Sequence, residues 1–149
     1  FGRCMPFDLT VHRAKYHPGQ YATASNLCNL LEGSGLIIDD VELSRNLSAV
    51  MQKMEGIAIA DIPVEDAYSI RCTPQVLGPV REAVHHAREA TIRELNSSND
   101  NPLLFPDTKR FIHDGHFHGQ MMSHHMDVVG MAIQNVGILS ERRGDRFMK

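Results

Sequence analysis

Residues 75–101 read QVLGPVREAVHHAREATIRELNSSNDN, and the period hidden in them decides the fold class. Val76, Val80, Val84, Ala87, Thr91 and Leu95 recur at steps of four and three. That spacing lays apolar side chains along one stripe of an α-helix. The other face carries Arg81, Glu82, His85, Arg88, Glu89 and Arg93. The pattern predicts a helix from about Gln75 to Leu95 whose stripe meets a partner. The helix should stop at Asn96–Asn101, because Asn, Asp and Ser side chains bond nearby backbone and tolerate turn geometry. A loop is expected from there to about Gly115.

Working outward, HPGQYATASNLCNLLEGSG (His17–Gly35) opens on a proline and closes on two glycines, the punctuation of a helix over about Gly19–Glu32. VELSRNLSAVMQK (Val41–Lys53) suggests a short helix, and the run from Gly56 to Pro74 an irregular crossing. Beyond His116, apolar Met122, Val129, Ala132, Ile133, Val136 and Leu139 predict a second long helix reaching the C-terminus. Gly130 and Gly137 on it weaken a helix unless a neighbour approaches closely there. No alternating strand pattern is visible, so the fold class is mostly α, with long packed helices.

Composition narrows the function. With 149 residues and 42% hydrophobic content, the chain can build a single core. Its net charge of −3 is scattered, which disfavours a nucleic-acid face. Cys4, Cys28 and Cys72 are odd in number and far apart, which fits a reducing, cytoplasmic compartment. No run has the length of a membrane span, and no signal peptide is evident. The start lacks Met and the end is still periodic, so the chain is expected to be a piece of a longer one.

Two clusters carry candidate chemistry. HDGHFHGQMMSHHMD holds His113, His116, His118, His124, His125 and Asp127. The spacing matches no metal signature, and adjacent His124 and His125 would point roughly 100° apart on a helix, so polar packing or a site wall is favoured over a metal. VEDAYSIR places Tyr68 and Arg71 three apart, on one side of a helical turn. An arginine fork suits a carboxylate, and a tyrosine near fixed positive charge can move a proton. A surface arginine stacked on a tyrosine is the plainer alternative.

VEDAYSIRCTPQVLGP, RELNSSNDNPLLF, GHFHGQ and LSERRGDR, in this order and preceded by PFDLTVHRAKYHPGQ and LLEGSG, resemble the aromatic amino-acid ammonia-lyases and aminomutases that act on histidine, phenylalanine and tyrosine. The resemblance covers the whole chain and implies the central segment of that family's fumarase/aspartase-like helical bundle. It also implies a homotetramer with active sites shared among subunits. The implied activity is elimination of ammonia from an aromatic amino acid. Alternatives are 2,3-aminomutation or a non-catalytic helical assembly module. The implied prosthetic group is 4-methylidene-imidazol-5-one, made from an internal Ala-Ser-Gly. That tripeptide is absent from these residues, so the isolated 149 residues are expected to be inactive.

By the same resemblance Tyr68 is the tyrosine beside that group and Arg71 clamps the substrate carboxylate. Asn101 lines the pocket, and Phe117 packs near the substrate ring. Glu65 stands where the family has Gln, adding a carboxylate close to Arg71. His116 stands where the family has Asn, with Asp114 as an added charge, and His118 is a further pocket candidate. The length of the Asn101–Phe117 loop leans toward phenylalanine or tyrosine as substrate.

Overall fold

The computed structural model describes residues 2–38, residue 45 and residues 65–148. Apart from Arg45, the short helix expected over Val41–Lys53 lies outside the described residues, as does most of the irregular crossing after it.

Five helices and two small sheets make up the described chain. β1 (Gly2–Arg3) pairs in parallel with β2 (Ile37–Ile38). Between them a 3-10 turn at Met5–Phe7 leads into α1 (Leu9–Ala14) and α2 (Pro18–Leu31). α3 (Tyr68–Arg71) is one turn long, and α4 (Thr73–Leu95) follows it directly. β3 (Leu103–Phe105) and β4 (Arg110–Ile112) form an antiparallel hairpin, with Leu103 opposite Ile112. α5 (Gln120–Phe147) ends the chain. α4 is the centre: it packs against α2 on one side and α5 on the other.

Each boundary has a local cause. The Asp8 carboxylate accepts the Thr10 amide at 2.7 Å and caps α1. Pro18 opens α2, where its missing N–H costs nothing. The next free amide of that turn, Gly19, donates to Glu82 Oε1 of α4 at 2.9 Å. This places a carboxylate at the positive end of α2. Gly33, just past the end of α2, takes a φ of +73°, which glycine adopts without steric cost.

The core is built largely from small residues, with Phe7 and Leu139 as its large apolar members. His12 is fully buried, with Nε2 donating to the Pro6 carbonyl and Nδ1 accepting from Gln20 Nε2, both at 3.0 Å. On α4 the buried positions are Thr73, Pro74, Gly78, Ala83, Ala87 and Ala90. The expected stripe therefore needs correcting: Ala87 belongs to it, but Val84 is 48% and Leu95 78% exposed. Helices on two sides of α4 approach closely enough to admit only small side chains, so the buried face is turned toward its alanines. Glu82, expected on the solvated face, is half-buried as the α2 cap.

Other expectations also shift. The close helix approach falls at Gly19 and Gly78, where an added Cβ would lie 2.2 Å from the Gly78 carbonyl oxygen and 2.7 Å from Gln20 backbone, respectively. At Gly130 and Gly137 an added Cβ meets nothing within 4 Å among the described residues. The stretch expected to be a plain loop contains the β3–β4 hairpin. α5 starts at Gln120, because residues before it are held in a turn, with the Gln120 amide donating to His118 Nδ1 at 3.1 Å. Ile133, expected on the packed face of α5, is 55% exposed.

Candidate functional site

α3 is too short to persist alone, yet three contacts hold it. Thr73 Oγ1 donates to the Ile70 carbonyl at 2.7 Å. From α5, Arg143 Nε donates to the Ser69 carbonyl at 3.0 Å, and Arg143 Nη2 donates to Thr73 Oγ1. A charged fork thus ties the C-terminal end of α5 to the turn that presents Tyr68 and Arg71. Arg143 was invisible to local reading, since its partners lie 70 and 74 residues away and three arginines compete in its stretch.

Tyr68 and Arg71 come together as their spacing predicts. The Arg71 guanidinium carbon lies 5.8 Å from the centre of the Tyr68 ring, within cation–π range. Tyr68 is exposed and borders an open cavity of about 580 Å³ lined also by Val76, Asn135, Ile138 and Leu139. Arg71 borders a second cavity of about 340 Å³ with Arg3, Met5, Glu65 and Gln75. Glu65 Oε2 lies 2.9 Å from Arg71 Nη2, so its carboxylate engages the guanidinium directly. Arg71 Nε is buried and has no hydrogen-bond partner among the described residues.

A second group forms at the base of the hairpin. Asn101 Oδ1 accepts the Asp114 amide at 2.9 Å. Asp114 Oδ1 in turn accepts the His116 amide at 2.7 Å and lies 2.8 Å from His116 Nδ1. The His116 amide, followed by its ring, holds the Asp114 carboxyl below the usual carboxylate range. Phe117 follows at once and is 64% exposed. His118 caps α5. His116 and His118 thus serve turns, His124 and His125 lie edge to face on α5, and among the described residues no three His, Cys, Asp or Glu side chains converge to hold a metal.

The two groups are not brought together. Tyr68 and Arg71 precede α4, and Asn101 and Phe117 follow it. At 1.5 Å per residue its 23 residues hold them roughly 33 Å apart. Within one chain, no small molecule touches both.

All of residues 1–149 match the family described as aromatic amino acid lyase. The chain belongs to that family. It is 39% identical over 148 residues to the MIO-dependent tyrosine 2,3-aminomutase of Streptomyces globisporus, covering 99% of this chain and 27% of that protein. It is 41% identical over 135 residues to the tyrosine ammonia-lyase of Cupriavidus metallidurans, covering 91% and 25%. Among solved structures, the phenylalanine aminomutase of Pantoea agglomerans superposes with a TM-score of 0.86 at 42% identity, covering 99% of this chain and 28% of that one. The chain thus spans about a quarter of the length of these relatives. Among the described residues no helix is long and apolar enough to cross a membrane.

Proposed function

We propose that this chain is the central segment of a cytoplasmic aromatic amino-acid ammonia-lyase that eliminates ammonia from phenylalanine, tyrosine or histidine. The observation that carries the proposal is the Tyr68–Arg71 turn, clamped by Arg143 beside an open cavity. The Arg71 fork binds the substrate carboxylate, and doing so displaces Glu65 from it. The Tyr68 hydroxyl, carried on the exposed ring beside that guanidinium, is the group that moves a proton at the substrate.

Asn101 contributes donors. Its Oδ1 already accepts the Asp114 amide, which leaves the carboxamide N–H groups for a carbonyl or carboxylate oxygen. Phe117 offers an exposed ring face against which an aromatic substrate packs. These donors and this face fit the methylidene-imidazolone implied by the family, whose source lies outside these residues. When bound, that group supplies an electrophile for the substrate amine.

Because α4 separates the two groups, a complete site takes Tyr68 and Arg71 from one chain and Asn101 and Phe117 from another. That geometry fits a homotetramer. So does the bare surface of α5, where Met126, Met131, Ile133 and Ile138 are exposed around Gly130 and Gly137. The close approach that these glycines permit then comes from a neighbouring part of the assembly.

The second reading is a 2,3-aminomutase, favoured by similarity to a tyrosine 2,3-aminomutase and to a phenylalanine aminomutase. The test is to incubate the full-length protein with each of the three amino acids and assay ammonia, unsaturated acid and β-amino acid. Unsaturated acid with ammonia supports the lyase, and β-amino acid the aminomutase. None of these products from any of the three would reject both.

A further inference from the structure

Asn101 is useful to a ligand only if its carboxamide has one orientation. A free carboxamide turns about its last bond, and its oxygen and nitrogen are then interchangeable toward a ligand. Here the Asp114 amide fixes it, since an N–H at 2.9 Å requires the oxygen. The Asp114 backbone is in turn fixed by its own carboxylate, which accepts the His116 amide and faces the His116 ring. Only 15% of the Asp114 side chain is exposed, and its Oδ2 is buried without a partner among the described residues. The antiparallel register places this contact two residues below the Leu103–Ile112 pair, where the strands part.

We propose that Asp114 and His116 form a positioning pair that sets the orientation of the Asn101 carboxamide, so that its N–H groups face the ligand. The inference rests on the reading of Asn101 as a pocket residue. The pair touches no reacting atom and works through Asn101. It also accounts for the joint departure from the family pattern at positions 114 and 116, since the carboxylate and the imidazole engage each other.

A double-mutant cycle in the full-length protein tests it. Asn101→Ala should lower kcat/KM by about tenfold or more, the size expected for a donor to a charged group. Asp114→Ala should reproduce the same division between KM and kcat, and should cost nothing further when Asn101 is already Ala. Asp114→Asn, which keeps an acceptor for the His116 amide, should recover most of the loss. Independent losses that multiply in the double variant, or a normal Asp114→Ala enzyme beside an impaired Asn101→Ala enzyme, would overturn the positioning role alone. A normal Asn101→Ala enzyme would overturn the role of Asn101 itself, and with it this inference. Hydrogen exchange gives a readout free of activity: Asn101→Ala should speed exchange of the Asp114 amide, and an unchanged rate would overturn the link.

Discussion

Gly78→Ala should destabilise the chain although alanine is the better helix former. In open helix the exchange gains about 1 kcal/mol. Here a Cβ on Gly78 would sit 2.7 Å from both the Cα and the amide nitrogen of Gln20, and 2.9 Å from its Cβ. Those atoms belong mainly to backbone, so no side chain can swing away. The shortfall from ordinary contact is about 0.7 Å, and overpacking of that kind costs about 1–3 kcal/mol. Against immovable backbone the cost falls in the upper part of that range and outweighs the propensity gain, for a net loss of up to about 2 kcal/mol. Gly19→Ala should cost more, because its Cβ would lie 2.2 Å from the Gly78 carbonyl oxygen and 2.9 Å from the Glu82 side chain that caps α2. The two changes open the same gap, so the double variant should lose less than the two losses added. Urea unfolding of the 149-residue chain, followed by far-UV circular dichroism, reads this out. Gly137→Ala serves as the comparator and should gain about the propensity difference, since its added Cβ meets nothing within 4 Å among the described residues. A Gly78→Ala chain as stable as its parent would refute the α2–α4 contact.

In the full-length protein, Arg71→Ala should raise KM roughly 13- to 160-fold, the equivalent of a charge-assisted contact of about 1.5–3 kcal/mol. An unchanged KM would remove Arg71 from the site. Tyr68→Phe should cut kcat strongly with little loss of stability, and near-normal turnover would exclude the hydroxyl. Glu65→Gln should lower KM by roughly 1.4- to 5-fold, because an exposed ion pair of about 0.2–1 kcal/mol no longer competes for Arg71. A higher KM would make Glu65 a substrate contact instead. Asp8, capping α1, has its carboxyl lowered by the Thr10 amide. The stability it contributes is present above the ordinary carboxylate range and lost as pH falls through the lowered value. Asp8→Ala should therefore flatten the acid side of the stability profile, and a profile identical to the parent's would count against the cap.

How much of this is legible in the sequence follows from the range of the interactions. α2, α4 and α5 are written as period and punctuation, within a few residues of where they fall. The pairing of Tyr68 with Arg71 is an i, i+3 relation and equally local. The hairpin is not legible, because Leu103–Phe105 and Arg110–Ile112 are three residues each, too short for alternation to show. The buried face of α4 is obscured because hydrophobicity ranks Val84 above Ala83, while packing between two helices selects the smaller side chain. Glu82, Arg143 and Asp114 take their roles from partners 63, 74 and 13 residues away. Local chemistry holds no sign of them.

The separation of the two residue groups along α4 allows a decisive measurement: coexpress Tyr68→Phe and Asn101→Ala full-length proteins, each strongly impaired alone, and assay the mixed oligomer. If a site draws Tyr68 from one chain and Asn101 from another, random assembly rebuilds about a quarter of the sites, and activity returns to about that fraction of the parent's. If the mixture stays as inactive as either variant, the two groups do not meet across chains to form the proposed site.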